Sequence, residues 1–521
     1  MNLRGRFFYV MTDSFLGWIF GSTKKNLPIF ILIKRAYNRR ERGVTMNQEL
    51  YNKISSWIDA HHADMVKDIF RLVRIPSISE PNSKIAPYGQ ACRDVLEEML
   101  AIGKEHGFQT RNYDNRCGGL WLDGDESDVS ESIGFWGHLD VVPTGDHWQF
   151  SPFEPFEKDG FLVGRGVEDN KGPTIAVMYV LLCLHELGVK LKHPLRLFVG
   201  CDEEVGMSDL EYYAEHYPCP KLSIVADSGF PVCYGEKGIL EANLVSERPV
   251  SEEILLLNGG VASNMVPDRA EIVLRKTEHT TAALSLLPKE FTVEEEENAY
   301  RISVHGVSSH TAFPEGGISA ISRLAKGLAY ADILSDQDAE IILFFCEAGQ
   351  DFYGRGLHIQ GEDDISGKLT CVGSMCGLDD GRRAWLHFNI RYPVTADSQK
   401  MIGIIRTTAA QHGFTLDLKR DSKPNYYPKE QPAVKVLNGV FNEMTGKQAE
   451  PYVMGGGTYA RKLPRAFAFG PSMPGDSKEH SMFPAGHGGG HEPDECLKLS
   501  SLFEAMKIYC MGLIALDDYE L

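Results

Sequence analysis

Residues 133–143 read Ile133-Gly134-Phe135-Trp136-Gly137-His138-Leu139-Asp140-Val141-Val142-Pro143, a short apolar run that ends in a histidine and an acid. Two similar runs follow at 195–200 and 224–226, and each also ends in polar residues. The intervening segment 174–187 is apolar around most of its helical circumference, which is typical of a buried helix. Strands that alternate with helices in this way predict an α/β fold with a mainly parallel sheet.

Polar side chains follow each of the three predicted strands. His138 ends the first, the acidic run 202–204 follows the second, and Asp227 follows the third. Because the carboxyl ends of neighbouring parallel strands meet at one edge of a sheet, these side chains are expected to lie close together. The loop 164–172 adds Asp169, and the glycine-rich turn 488–492 adds His491.

This combination of side chains predicts a metal site. Imidazole and carboxylate ligands without a thiolate are typical of zinc or a similar first-row cation. Two ions need one shared carboxylate and about two further ligands each. Five side chains meet that count: His138, Asp169, Glu204, Asp227 and His491. Glu203 can act as a general base beside them, and Asp140 lies at the right spacing to orient the imidazole of His138.

Together, the phrases at 137–143, 164–173 and 202–204 resemble those of the co-catalytic dinuclear zinc peptidases, the family of aminoacylases, glutamate carboxypeptidases and carnosinases. The resemblance runs from about Met46 to the C-terminus. It is nearest to the bacterial dipeptidase V-like (Xaa-His) dipeptidases, because the inserted domain is long and residues 455–461 read GGGTYAR. It implies a zinc-peptidase catalytic domain with an inserted α+β lid domain, and two zinc ions, with manganese or cobalt as alternatives.

The resemblance also implies a role for each ligand. His138 and Asp227 would serve one metal, Glu204 and His491 the other, and Asp169 both. Glu203 would be the general base, and the peptide bond after Asp169 would be cis. The family often has Ala-His-Gln at the last ligand where this chain has Gly490-His491-Glu492, so the nearby histidines at 480 and 487 remain alternatives.

Three lid positions match the family as well. By that likeness, Asn264 and His310 (rather than His305) would polarise the scissile carbonyl, and Arg391 would hold the substrate's terminal carboxylate. The segment around 454–461, with Gly456 and Thr458, is expected to approach the substrate backbone. The alternatives are a surface histidine at 310, an arginine at 391 paired with an acid of the lid, and a merely flexible glycine loop.

The pattern of predicted helices and strands along the chain suggests its domain organisation. Near residue 238 the alternating pattern gives way to β-rich segments, so we expect a catalytic domain at 46–238 and 429–521 with a lid inserted at 239–428. Residues 1–45 carry nine Lys/Arg against two Asp/Glu. They are interpreted as a non-native or disordered extension with Met46 as the true start, and a peripheral membrane anchor is the alternative.

Composition and sequence pattern limit the kinds of partner and the compartment expected for this protein. A net charge of −19 opposes a nucleic-acid role, because phosphate binding needs a dense basic surface. No apolar cluster within residues 1–45 reaches the roughly 20 residues that span a bilayer, so no stable membrane insertion is expected. Eleven irregularly spaced cysteines favour reduced thiols and the cytoplasm. The long lid favours a monomer, because relatives with shorter lids borrow an active-site histidine from a partner subunit.

These expectations converge on a metallo-dipeptidase that hydrolyses short peptides with free termini. A water bridged by two zinc ions would lose its proton to Glu203, which would then protonate the leaving amine. One alternative is an N-acyl amino acid deacylase of the same family, which would share every metal ligand. Another is a non-catalytic binding homologue, although such proteins typically lose the base or a ligand.

Overall fold

The computed structural model describes residues 47–475, 483–484 and 486–520. The interpretation of residues 1–45 therefore lies outside the described residues. Contacts separate Met1–Gln48 from a unit formed by Glu49–Leu521. Apart from the first residue of the first helix, every element below belongs to that second unit.

The helices and strands alternate at both ends of this unit and give way to consecutive strands in its middle. The α-helices are α1 (Gln48–Val73), α2 (Gln90–Glu105), α3 (Lys171–Glu186), α4 (Ser208–His216), α5 (Glu278–Ala283), α6 (Ala320–Ala331), α7 (Asp336–Ala348), α8 (Ser398–Gln411), α9 (Pro432–Thr445) and α10 (Leu499–Leu516). The first strands are β1 (Gln109–Tyr113), β2 (Cys117–Trp121), β3 (Ile133–His138), β4 (Phe156–Lys158), β5 (Phe161–Val163), β6 (Leu195–Gly200), β7 (Leu222–Val225), β8 (Ser228–Gly229) and β9 (Val232–Glu236). The middle strands are β10 (Gly238–Pro249), β11 (Ile254–Gly259), β12 (Arg269–Arg275), β13 (Thr292–Glu295), β14 (Ala299–His305), β15 (Glu362–Asp363), β16 (Gly367–Lys368), β17 (Thr370–Leu378), β18 (Arg383–Tyr392) and β19 (Phe414–Ser422). The last are β20 (Asn425–Tyr426), β21 (Tyr452–Met454), β22 (Ala466–Phe469), β23 (Pro471–Ser472) and β24 (Cys496–Lys498).

One sheet has nine strands and a parallel centre. Its order is β1-β2-β6-β3-β7-β22-β9-β20, with β21 beside β9. Strands β6, β3, β7 and β22 run parallel, whereas β1, β2 and β20 pair antiparallel with their neighbours. The predicted α/β class is confirmed. The sheet is mixed because the hairpin of β1 and β2 pairs antiparallel with β6, and because β9 runs antiparallel to β22. The predicted buried helix is α3, and all of β3 is buried.

The other large sheet has eight antiparallel strands in the order β13-β14-β12-β11-β17-β18-β10-β19. One of its faces forms an apolar core with α6, α7 and α8, which includes Leu324, Phe345 and Ile402. The chain enters this sheet directly after β9 and returns to the first sheet at β20. The helices expected at 320–331 and 398–411 are α6 and α8, while the domain boundaries stay a prediction.

Helix α10 packs against α3 and α9 beneath the first sheet. Among the described residues it is the one helix long and apolar enough to cross a membrane by length and composition. About two thirds of it (67%) is buried inside the protein, and the core helix of a soluble protein meets the same criteria. This helix is therefore weak support for a membrane location.

Candidate active site

The parallel centre of the nine-stranded sheet brings the predicted polar clusters to one edge. Strand β3 lies between β6 and β7, and His138 pairs in register with Gly200. The loop after β6 carries Glu203 and Glu204, and Asp227 follows β7. Sequence-distant side chains thus meet because three neighbouring strands end together.

The carboxylate of Asp169 lies between two imidazoles. Its Oδ1 is 2.9 Å from His138 Nε2, and its Oδ2 is 3.1 Å from His491 Nε2. His491 Nε2 is also 3.0 Å from Glu204 Oε1, and His138 Nε2 is 3.9 Å from Asp227 Oδ2. The five side chains expected to bind metal therefore form one cluster around Asp169. The Asp169–Asn170 peptide bond is cis, as the resemblance implied.

The cluster concentrates negative charge in a partly buried place. Burial raises the pKa of Asp227 to about 7, and the charge of Asp169 adds to that rise. Burial tends to raise the pKa of Asp169 as well, but the hydrogen bonds with His138 and His491 outweigh it and hold the value below the ordinary range. Those with Asp169 and Glu204 raise the pKa of His491 to about 11. Both imidazoles therefore tend to be protonated as long as no metal ion balances the charge of the carboxylates.

These donors fit divalent cations. Ligand atoms of His138, Glu203 and Asp227 lie within 4.8 Å of one another, as do those of His138, Asp169 and Glu204. Among the residues the structure describes, no lysine or arginine forms an ion pair with the three carboxylates of the cluster or with Glu203. Buried carboxylates need a cationic partner, and a metal ion would replace the protons of the imidazoles.

The side chain of Glu203 differs from its neighbours. Its Oε1 is buried and has no hydrogen-bond partner among the described residues. Burial raises the pKa of Glu203 well above the ordinary value. A carboxyl group with a raised pKa and an open oxygen can accept a proton at neutral pH and return it.

Asp140 supports the site through its main chain and its side chain. His138 Nδ1 lies 3.0 Å from the carbonyl oxygen of Asp140, so Nδ1 carries the proton and Nε2 is the ligand nitrogen. The carboxylate of Asp140 is farther from Nδ1, at 3.5 Å. It accepts the main-chain N–H groups of Glu203 and Glu204 at 3.1 and 3.0 Å. Asp140 therefore contacts the imidazole through its main-chain carbonyl and the acidic loop through its carboxylate.

Glu495 is a supporting residue that the sequence did not reveal. It is fully buried, and one of its oxygens accepts N–H groups from Gly166, Glu168 and Asp169 at 2.9–3.1 Å. Its other oxygen accepts from Arg165 at 2.7 Å. The loop that carries Asp169 is thus built around this carboxylate. No sequence signal marks Glu495, because an acid in a loop is ordinarily exposed.

Asn264 and His310 lie on loops of the eight-stranded sheet, whereas Arg391 lies within β18. Asn264 is exposed, and its carbonyl accepts the N–H of Thr311 at 2.9 Å, next to His310. His310 Nδ1 accepts the N–H of Ala312 at 3.2 Å. A side-chain carbon on Gly455 would lie 2.5 Å from the Cβ of Ala312. The loop after His310 therefore touches the glycine segment.

Arg391 is buried at the same place. Its Nε donates to Asn389 at 2.8 Å, and its Nη1 donates to the carbonyl of Gly455 at 3.1 Å. The next carbonyl, that of Gly456, accepts a hydrogen bond from Arg461 Nη2 at 2.9 Å. Two guanidinium groups thus hold consecutive carbonyls of the glycine segment.

Thr458 lies behind this segment. It is buried, and both its N–H and its hydroxyl donate to Glu236, at 3.1 and 2.6 Å. Its expected contact with substrate stays a prediction. Of the alternatives to His491, His487 Nδ1 lies 2.7 Å from Asp494, and residue 480 lies outside the described residues.

Comparisons with known proteins found relatives over most of the chain. The sequence model of the family "Peptidase family M20/M25/M40" matches residues 134–513. The chain is 31% identical over 468 residues to "Putative dipeptidase YtjP" of Bacillus subtilis, covering 87% of this chain and 97% of that protein. It is 31% identical over 471 residues to a "Putative dipeptidase" of Staphylococcus epidermidis, with the same coverage of 87% and 97%.

Two solved structures share the fold. The di-peptidase Dug1p of Saccharomyces cerevisiae superposes with a TM-score of 0.54 and 14% identity, covering 91% of this chain and 100% of that one. Human carnosine dipeptidase 1 superposes with a TM-score of 0.51 and 14% identity, covering 90% and 100%. At these identities the likeness concerns the fold alone.

Proposed function

Because this chain belongs to the peptidase family M20/M25/M40, it is a peptide hydrolase, and we propose that it is a dipeptidase that works with two divalent metal ions. The observation that carries the proposal is the Asp169 carboxylate between the imidazoles of His138 and His491. Relatives that match nearly their whole length are named as dipeptidases. The substrate is proposed to be a short peptide with free termini.

The metal ions are proposed to be zinc. His138 and Asp227 would hold one ion, Glu204 and His491 the other, and Asp169 both. Imidazole and carboxylate oxygen suit zinc, while manganese and cobalt accept the same ligands. When bound, such ions polarise the peptide carbonyl and make water a stronger nucleophile.

Glu203 is proposed to move the proton. Its open, buried oxygen can take a proton from the attacking water. The raised pKa lets the same group hold that proton and deliver it to the leaving amine. The N–H groups of residues 203 and 204, fixed on Asp140, keep the carboxylate in position during both transfers.

The lid is proposed to bind the rest of the substrate. Asn264 and His310 would donate to the oxygen of the tetrahedral intermediate. Arg391 would hold the C-terminal carboxylate, and it suits this role because its guanidinium is buried without an ion pair among the described residues. Burial lowers the pKa of Arg391 only to about 10, so it stays charged at neutral pH. Closing the lid would exclude water from the reaction.

The cellular setting follows from the thiols. All eleven cysteines are free, and nine of them are buried. Thiols that persist without pairing suit a reducing compartment, so we place the enzyme in the cytoplasm. We also propose that it is a monomer without a nucleic-acid partner or stable membrane insertion.

The test is a metal-reconstitution assay on the full chain. The protein is stripped with a chelator, reloaded with zinc, manganese or cobalt, and offered free dipeptides beside N-acetyl and N-succinyl amino acids. Metal-dependent cleavage of the dipeptides supports the proposal. Cleavage of the N-acyl compounds alone would assign the site to a deacylase, and no cleavage despite two bound metals would revive the binding homologue.

A further inference from the structure

The face of the eight-stranded sheet opposite its apolar core is polar. Along β10 and β18, residues that point to the core, such as Leu240 and Ile390, alternate with polar residues. Glu241 pairs in register with Asn389 on one side and with Arg420 on the other. Since paired residues point to the same face, Arg420 lies on the face that carries Arg391.

The guanidinium of Arg420 is held by one contact. Its Nε donates to Ser422 Oγ at 2.9 Å, which leans the side chain toward the row of Arg391. Within the described part of the chain, its two terminal nitrogens have no hydrogen-bond acceptor and it forms no ion pair. The side chain is only partly exposed to solvent. Arg420 therefore offers an unfilled, oriented fork for an anion.

The charges on this face leave a surplus. Arg461 forms a buried ion pair with Glu236 at 3.2 Å. Arg391 and Arg420 share the remaining carboxylate, Glu241, whose Oε1 accepts from Asn389 at 2.6 Å. Two guanidinium groups beside one carboxylate leave one positive charge on this face, which the terminal carboxylate proposed to bind Arg391 would balance. The N–H groups of Arg420 that have no acceptor are then the place where a second anionic group of the ligand would bind.

Arg420 is also close enough to the reacting centre for the charge of Glu203 to act on it. Burial is the main influence on its pKa and lowers it, while the nearby charges of Glu241 and Glu203 act in the opposite direction. The proposed function puts the leaving amine beside Glu203 and the terminal carboxylate on Arg391. The C-terminal residue of the substrate then lies between these two groups, which Arg420 borders.

We propose that Arg420 is a specificity-determining residue that binds the side-chain carboxylate of a C-terminal aspartate or glutamate. The inference rests on the proposed function and extends it to the substrate class. A neutral C-terminal side chain leaves the terminal nitrogens of Arg420 without an anionic acceptor, whereas the carboxylate of an aspartate or glutamate side chain supplies one. The enzyme thus prefers Xaa-Glu and Xaa-Asp over their amides.

The test measures binding rather than turnover. Affinities of Ala-Glu and the isosteric Ala-Gln are measured by calorimetry on the zinc-loaded full chain in the Glu203→Gln background. We expect Ala-Glu to bind about 10-fold to 100-fold more tightly, as one charge-assisted hydrogen-bond pair allows. Arg420→Gln removes this preference and leaves the affinity for Ala-Gln unchanged, and Arg420→Lys retains part of it.

A matched control removes a positive charge from the other side of the sheet. Arg406 is exposed on α8, which packs on the apolar face, so Arg406→Gln keeps the full preference. Equal affinities of the unsubstituted Arg420 protein for both peptides, or an equal loss for both in Arg420→Gln, would overturn the inference. Hydrolysis of Ala-Gln by the wild-type chain tests the proposed function separately.

Discussion

Two sets of carboxylates at the edge of the nine-stranded sheet differ in their partners. The front set consists of Asp169, Glu203, Glu204 and Asp227. The rear set lies beneath it and consists of Asp140, Asp202, Asp209 and Glu495, all of them buried. In the front set, the carboxylates of Asp169, Glu204 and Asp227 lie against imidazoles, and Asp227 Oδ1 also accepts the amide N–H of Asn170 at 3.1 Å. Glu203 Oε1 has no partner among the described residues. Rear oxygens accept N–H and O–H groups of the protein.

This difference separates function from support. A rear carboxylate such as Asp209 accepts the N–H groups of Cys201 and Asp202 and the hydroxyl of Tyr459, and so needs no further partner. The front carboxylates are left incomplete by the protein, which is costly unless another cation or a proton completes them. Substitutions in the front set should therefore cost activity, and those in the rear set should cost stability first.

The largest expected effect is on turnover in the front set. Glu203→Gln keeps the size of the side chain but cannot accept a proton. We expect kcat for dipeptides to fall about 10²-fold to 10⁴-fold, with the metal content and the melting temperature at least as high as in the wild type. Steady-state kinetics and elemental analysis measure both. Activity within tenfold of the wild type would remove Glu203 from its role.

The next effect is on stability in the rear set. Glu495→Gln removes the charge of the buried ion pair with Arg165. It also weakens the hydrogen bond that the N–H of Asp169 donates to this side chain. We expect the free energy of unfolding to fall by about 3–5 kcal/mol, with a loss of metal affinity as the loop loosens. Denaturant unfolding measures the first and metal titration the second. Glu504→Gln, a change on the exposed side of α10, serves as control, and equal stabilities for both variants would contradict the comparison.

The smallest effect is a pH dependence. Burial, and then the charge of Asp140, raises the pKa of Asp209 to about 7. Between about pH 4 and pH 7 the unfolded chain loses this proton while the folded protein keeps it, so the stability that Asp209 contributes falls as pH rises. Asparagine does not titrate. The free-energy cost of Asp209→Asn should therefore be smaller at pH 8 than at pH 5, by on the order of 1–4 kcal/mol.

Unfolding curves of both proteins at pH 5 and pH 8 supply this difference. Other titrating groups are common to the two proteins and largely cancel. An equal cost at pH 5 and pH 8 would mean that Asp209 is already ionised in the folded protein at pH 5, and it would contradict the raised pKa.

The sequence alone predicted the α/β class, and it predicted that the side chains of the front set lie close together. Three apolar runs end in His138, in the acidic loop 202–204 and near Asp227, and parallel strands must bring such ends together. The helices at 320–331 and 398–411 were predicted from the local spacing of apolar residues, which depends only on residues close together in the chain. These features depend on neighbours in the chain or on one general rule of sheet geometry.

Tertiary structure alone decided the polar face of the eight-stranded sheet and, apart from Asp140, the rear set. Glu495 lies more than 300 residues from Arg165 along the chain, and nothing near either residue announces their contact. Arg420 gained its place only through the pairing of β19 with β10, and the antiparallel edges of the first sheet also escaped the local pattern. Burial and partners of a charged side chain depend on segments far apart in sequence, so local periodicity cannot encode them, whereas the folded chain determines both at once.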